Sequence, residues 1–262
     1  MCIFTGRVTY VGGTKIFSRL TANEADEIVQ YLVYSMNVST DSEVAMILPL
    51  PVSSQTEDAV QFIPLNGYSE FFEDMEKGFH TPIVGPGEAI ACNAGSTPGK
   101  LAVKGIGDFI ASFVPTLADF DRLDERFRLP AATWNKLPQY SDWGFAVFQL
   151  KESPAGQEIA RGTPRRIHPM AFQYPTWMDE SLYFPTLHIH DGQVNASAEF
   201  DHTLYFQGDE FHDFADEISP YSADDFMKMD QAMEIVQAGT VCGKRLIVGM
   251  NANEDTYAAR LE

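Results

Sequence analysis

The sequence predicts an α+β fold built around a large, largely antiparallel or mixed sheet. Three observations point there. Apolar β-prone runs outnumber helical patterns, the two do not alternate as in a Rossmann or TIM-type chain, and runs such as VAMILPLPV (44–52) are apolar without interruption, as a fully buried strand reads.

Taken in order, VTYV and TKIFSRL flank Gly12-Gly13, and a Gly-Gly pair supplies the positive φ angles of a tight turn, so residues 3–20 read as a hairpin. Thr21-x-x-Glu24 has the form of a capping box, but the Val-, Ile- and Tyr-rich EIVQYLVYSMNV after it favours a strand. The strand at 44–52 should leave its sheet at Pro49. Helical spacing appears at 69–78, at 116–127 (Leu117, Phe120, Leu123, Phe127) and most clearly at 222–239. There Ser222 caps, Phe226, Met229, Met233 and Val236 form a stripe, and Gly239 stops. The other apolar runs, LAVKGIGDFIASFV, WGFAVFQL, HPMAFQYP, LYFPTLHIHDG, HTLYF and VCGKRLIVGM, read as strands. Residues 78–107, 129–142 and 153–166 read as loops. A single domain over 1–262 is expected, with any division into halves falling within 129–142. The expected core includes Phe17, Ile47, Leu48, Phe72, Phe120, Phe145, Val147, Phe172, Leu187, Phe226 and Val248.

Charge narrows function. The 262 residues carry 18 basic and 37 acidic side chains, a net charge of −19. A phosphate backbone is repelled by such a chain, which argues against nucleic-acid binding. No window of ~18 apolar residues offers a membrane span. Cys2, Cys92 and Cys242 are odd in number and widely spaced, and no secretory leader pattern opens the sequence, so a reducing, cytoplasmic setting is expected. Residues 199–234 hold eleven acids against Lys228 alone. They lack the ordered spacing of an EF-hand, and a wet acidic face is the plain reading. Arg161, Arg165, Arg166 and His168 form a local basic cluster suited to ion pairing. A basic protein partner, or self-association through complementary charge, follows as an expectation.

Two constellations could carry chemistry. Loss of Met1 would leave Cys2 with a free α-amine, able to serve as base for its own thiol, and Arg19 beyond the Gly-Gly pair could depress the thiol pKa. The order Cys2, strand, Gly-Gly, GTKIFSRL resembles the opening of N-terminal-nucleophile cysteine amidases of the bile-salt-hydrolase and penicillin-acylase type. That resemblance implies hydrolysis of C–N bonds, with Cys2 as nucleophile and Arg19 as support. The family has an aspartate shortly after the arginine, where this chain has Leu20-Thr21-Ala22. The plain alternative is a small buried cysteine. The second constellation is His188-Ile189-His190. Residues two apart on a strand share a face, so both imidazoles could meet one divalent metal such as zinc, with His202, His212 or Glu210 as third ligand. Alternatively, they are polar groups at a strand end. Finally, MILPLPV, TKIFSRL upstream and FPTLHIHDG downstream resemble conserved bacterial proteins of unknown function that carry an L-P-x-P strand. That resemblance implies a β-rich fold and brings no site residues. Two functions therefore stand side by side: a cysteine hydrolase, and a non-catalytic binding or interaction protein, with or without a metal at His188 and His190.

Overall fold

The computed structural model describes residues 3–40, 43–80, 104–106, 109–150, 164–190 and 192–260, with backbone only for 104–106 and 165. The chain is strand-rich, with antiparallel and mixed sheets. A five-stranded antiparallel sheet runs β1 (Ile3–Phe4), β4 (Ala45–Leu50), β8 (Gly144–Leu150), β7 (Phe109–Val114), β6 (Lys104–Ile106). The large sheet runs β13 (Glu217–Ser222), β14 (Val241–Ala252), β12 (Ser197–Gln207), β2 (Tyr10–Ala22), β3 (Ile28–Ser39), β10 (Met170–Pro175), β5 (Gln61–Ile63), and β9 (Arg165–Arg166) adds to β3. β12 lies parallel to β2 and antiparallel to β14, which makes this sheet mixed and ties the end of the chain to its beginning. A two-stranded ribbon pairs β11 (Ser181–Phe184) with β15 (Thr256–Ala259).

Alternation along the strands builds two cores. Ile16, Leu32, Phe172 and Leu204 point from the large sheet toward the Met46–Phe148 face of the five-stranded one. Phe148 meets Phe62 edge-on at 5.7 Å. The neighbouring residues Phe17, Val33, Ala171 and Tyr205 point the other way, beneath α1 (Phe71–Lys77) and the segment 223–236. The middle strands are thus buried on both faces, which explains their uninterrupted apolar runs.

Several expectations change. Gly12-Gly13 does not turn the chain. β2 runs through the pair with a register shift between Gly12 and Lys15. Gly13 has φ +60 and donates its N–H to the Asp201 carboxylate at 2.6 Å. The glycines form a bulge because β12 closes on them: a Cβ on Gly12 would stand 2.9 Å from Asp201 Oδ2. The capping-box pattern at Thr21 is overridden and 28–39 is a strand. Pro49 stays within β4, opposite Phe145. This is tolerated because β1 pairs only with Met46 and Ile47, so Pro49 lies where β4 has a free side.

The helix expected at 116–127 is two 3₁₀ turns, Leu117–Arg122 and Glu125–Phe127, separated where Leu123 is extended. Thr116 gives its hydroxyl to Asp119 at 2.7 Å instead of capping a backbone N–H. The helix expected at 222–239 is also absent. Ala223–Asp225 make one 3₁₀ turn, and Met233 and Glu234 adopt φ 49 and 63. The Asp224 carboxylate accepts from Gly239 N at 2.7 Å, closing a loop rather than capping a helix. Residues 129–142 hold a short helix α2 (Ala131–Trp134) and a 3₁₀ turn, and Leu129, Leu137 and Tyr140 belong to the larger core. Two of the eleven expected core residues are not buried: Phe226 is half-buried, and Val248 is 69% exposed.

Candidate functional site

Cys2 lies outside the described residues. Ile3 and Phe4, which follow it, belong to the five-stranded sheet, where Phe4 meets the His190 ring at 5.9 Å. Arg19 lies in the large sheet and is nearly buried. Its Nε donates to the Ile235 carbonyl at 2.8 Å, Nη2 to the Glu234 carbonyl at 2.7 Å and Nη1 to Gln237 Oε1 at 3.5 Å. The guanidinium also lies 4.8 Å over the Tyr31 ring. The left-handed conformations of Met233 and Glu234 turn the chain so that both carbonyls face this one side chain. Arg19 therefore clasps the segment that covers the sheet. Burial pulls its pKa below the usual value, and Tyr31 and Glu234 pull it back up. Arg19 also opens onto a polar groove of about 610 Å³ rimmed by Glu24, Glu27, Asp58 and Glu234.

The three histidines do come together. His188 and His190 follow β11, and His202 comes from β12. The His188 ring is 5.5 Å from His190 and 5.1 Å from His202, with interplanar angles of 17° and 26°, and Phe200 packs 4.2 Å from His188. The strand end is fixed by Asn253, which accepts from His188 N at 2.7 Å and donates to its carbonyl at 2.9 Å. An imidazole lone pair lies in its ring plane, so near-parallel stacked rings do not aim at one point as metal ligands do. Among the described residues no group of three His, Cys, Asp or Glu could hold a metal ion. Of the alternative third ligands, Glu210 pairs with Arg260 at 3.0 Å and His212 faces Asp209 at 3.4 Å. Burial pushes His188 down to about 2 and drives His202 far below the imidazole range, with His188–His190 repulsion adding to the effect. His188 and His202 are thus neutral rings, packed against Phe200 and each other.

Next to them lies a group that sequence reasoning missed. Asp255 is buried and accepts four hydrogen bonds: from Tyr140 OH at 2.5 Å, Tyr183 OH at 3.0 Å, Thr186 N at 2.9 Å and Leu187 N at 3.0 Å. Burial pushes its pKa up, against the pull of these four donors. The hub joins β11, the stretch leading to His188, and the Tyr140 turn. Nothing in NEDTYAA marks Asp255 as different from its neighbours.

The basic cluster divides. Arg161 lies outside the described residues, as does the side chain of Arg165. Arg166 forms a bidentate ion pair with Glu73 and donates to the Ser69 carbonyl at 2.8 Å, so its partner is α1 and not the acidic 199–234 stretch. His168 packs against the Phe109 ring at 4.6 Å, tilted by 50°.

The remaining feature is a surface. On β14, Leu246 is 51%, Val248 69% and Met250 70% exposed, all on the face that Cys242 buries at the other end of the same strand. β13 pairs with β14 only at Val241–Lys244. Beyond Lys244 the strand has β12 on one side and, among the described residues, no strand on the other. A groove of about 520 Å³ runs along that free edge, between β14 and Thr256–Tyr257, floored by Phe200, Phe214 and Ile247.

No protein-family model matches this chain, and no curated protein does. Among solved structures, baculovirus P35 is similar over 100% of both chains, with 12% identity and a TM-score of 0.48.

Proposed function

We propose that this chain, a β-rich member of the α+β class with a cytoplasmic setting, is a non-catalytic protein-interaction module that docks an extended polypeptide on β14. The observation that carries the reading is the row Leu246, Val248 and Met250, exposed beside a groove and a strand edge that no other strand among the described residues pairs. Soluble domains blunt such edges with charge, proline or a covering loop, and residues 246–252, LIVGMNA, contain no charge and no proline. An extended segment can supply the missing strand, with main-chain hydrogen bonds giving affinity and side-chain alternation giving specificity.

The titratable groups support the same reading. The Arg19 guanidinium is engaged by chain oxygens, Asp255 by four donors, and His188 and His202 are buried and neutral. The test is a display selection of random peptides on the intact protein. Selected peptides should be extended and apolar at alternate positions, should shift the Met250 methyl resonance, and should bind Cys2→Ser as well as wild type. Equal binding to the triple variant Leu246→Glu, Val248→Glu, Met250→Glu would sink the reading. Turnover of an amide substrate that vanishes in Cys2→Ser would instead favour the hydrolase.

A further inference from the structure

We infer that the strand docking on β14 is β14 of a second copy, paired antiparallel about a two-fold axis near Val248, so that two large sheets join into one. This rests on the docking surface proposed above and names its occupant.

Direction and register come first. The main chain of Leu246 faces the free edge, because its N–H donates outward to the Asp216 carboxylate at 2.8 Å. Strand alternation puts Val248 and Met250 on the same side. Among the described residues, the edge beyond Asp216 is stopped only by the Asn251 side chain, which donates to the carbonyls of Val248 and Gly249 at 3.2 and 3.1 Å. These exposed side-chain bonds can be exchanged for main-chain ones.

Two-fold symmetry then fixes the neighbours: Val248 faces Val248 of the second copy, and Leu246 faces its Met250. All of these cross-strand pairs are apolar and lie on one face, the arrangement that stabilises sheet pairing.

Charge selects the same partner. A chain with a net charge of −19 repels its own copies over most of its surface. Residues 246–252 are an uncharged exception. The acids on this face, Glu199 and Asp201, lie one strand back, opposite Met250 and Val248. Across β12, β14 and their two symmetry mates, the facing acid rows stand three strand spacings apart, roughly 14 Å. That exceeds the ~8 Å screening length at physiological salt. A basic partner strand, by contrast, would find Asp216 and the groove carboxylate Glu254 but no acid within residues 246–252 themselves.

The experiment is sedimentation equilibrium of the full chain over a range of concentrations, with two kinds of variant. Leu246→Glu with Met250→Glu changes only side chains. Val248→Pro removes an N–H that points away from β12 and so leaves that pairing intact. Wild type should sediment as a dimer, and both variants should shift to monomer mass while keeping the melting temperature that wild type shows at high dilution. A wild type that stays monomeric at every concentration overturns the inference, as does a dimer that survives both variants. If wild type is monomeric while selected peptides still map to Met250, the docking surface stands and only its occupant is wrong.

Discussion

One face of one sheet behaves in two opposite ways. At its middle, Phe17 and Tyr205 are fully buried under Phe71, Phe72 and the 223–236 segment. Along the same face, Leu246, Val248 and Met250 stand in the open. Side-chain chemistry does not separate the two regions, since both are apolar at alternate positions. What separates them is the reach of the cover, which ends at Lys244. That ammonium is held between Glu76 at 3.2 Å and Glu217 at 2.8 Å and lies 4.5 Å over the Phe79 ring. An apolar strand row therefore marks a surface that needs covering, and the described residues supply the cover for only part of it.

The sharpest way to break this contrast is to attack the cover. Phe72→Ala empties a fully buried ring site between α1 and Tyr205 and should cost about 3–5 kcal/mol in denaturant unfolding. Arg19→Ala leaves the carbonyls of Glu234 and Ile235 without their donor and should cost roughly 2–4 kcal/mol. Arg19→Lys, with one compact ammonium in place of a fork, should recover only part of it. Hydrogen exchange is the discriminating readout. Amides of 223–236 should lose protection in Arg19→Ala while those of β14 beyond Lys244 do not change. Uniform loss across both regions would show that Arg19 does not act through the cover.

Asp255 is next in size. Asp255→Asn replaces a four-fold acceptor with a group that must turn a donor toward one of the same donors, and the expected loss is roughly 2–3 kcal/mol. A loss below 1 kcal/mol would mean that the buried charge costs nearly what its hydrogen bonds return.

Much of this architecture is legible in the sequence, and the misreadings have physical causes. Strand runs at 28–39, 44–52, 144–150 and 170–175 are found because burial on both faces leaves apolar stretches that local pattern detects. The Gly12-Gly13 hairpin is misread because a bulge and a turn demand the same positive φ, and only the remote Asp201 decides between them. The 222–239 helix fails for a similar reason. Its cap and stripe are locally sound, but Arg19, over two hundred residues upstream, captures the carbonyls of Glu234 and Ile235. For the site, the meeting of His188, His190 and His202 is half-legible: the first two flank Ile189, which bridges to Ile3 in an extended stretch after β11, and β12 brings the third. Asp255 carries no local signal at all. Val248 is the most instructive error, because a core-like run and an uncovered docking strand have the same composition.

A smaller effect tests the histidine stack. His188 and His202 are neutral in the fold, well below the ordinary value of 6.5, whereas the unfolded chain takes up protons near that value. Their contribution is complete above pH 6.5 and is lost as pH falls through 6.5 toward the folded values. Each group adds a slope of up to about 1.4 kcal/mol per pH unit. His188→Phe keeps an aromatic ring against Phe200 without a titrating nitrogen, and should flatten the acid limb of a stability–pH curve. An unchanged limb would place the acid sensitivity elsewhere.

The smallest effect on stability is expected where the effect on association is largest. Alanine at Leu246, Val248 or Met250 removes side chains that are already 51 to 70% exposed in the isolated chain, so each should change unfolding free energy by less than about 0.5 kcal/mol at low protein concentration. If the second copy covers this row, wild-type stability should rise with concentration, since anything that binds only the folded chain stabilises it by mass action. The alanine variants should lose that rise while keeping the dilute-limit value. A variant that loses stability even at high dilution would mean that part of the chain itself covers β14. The bare end of the sheet would then be built like its middle.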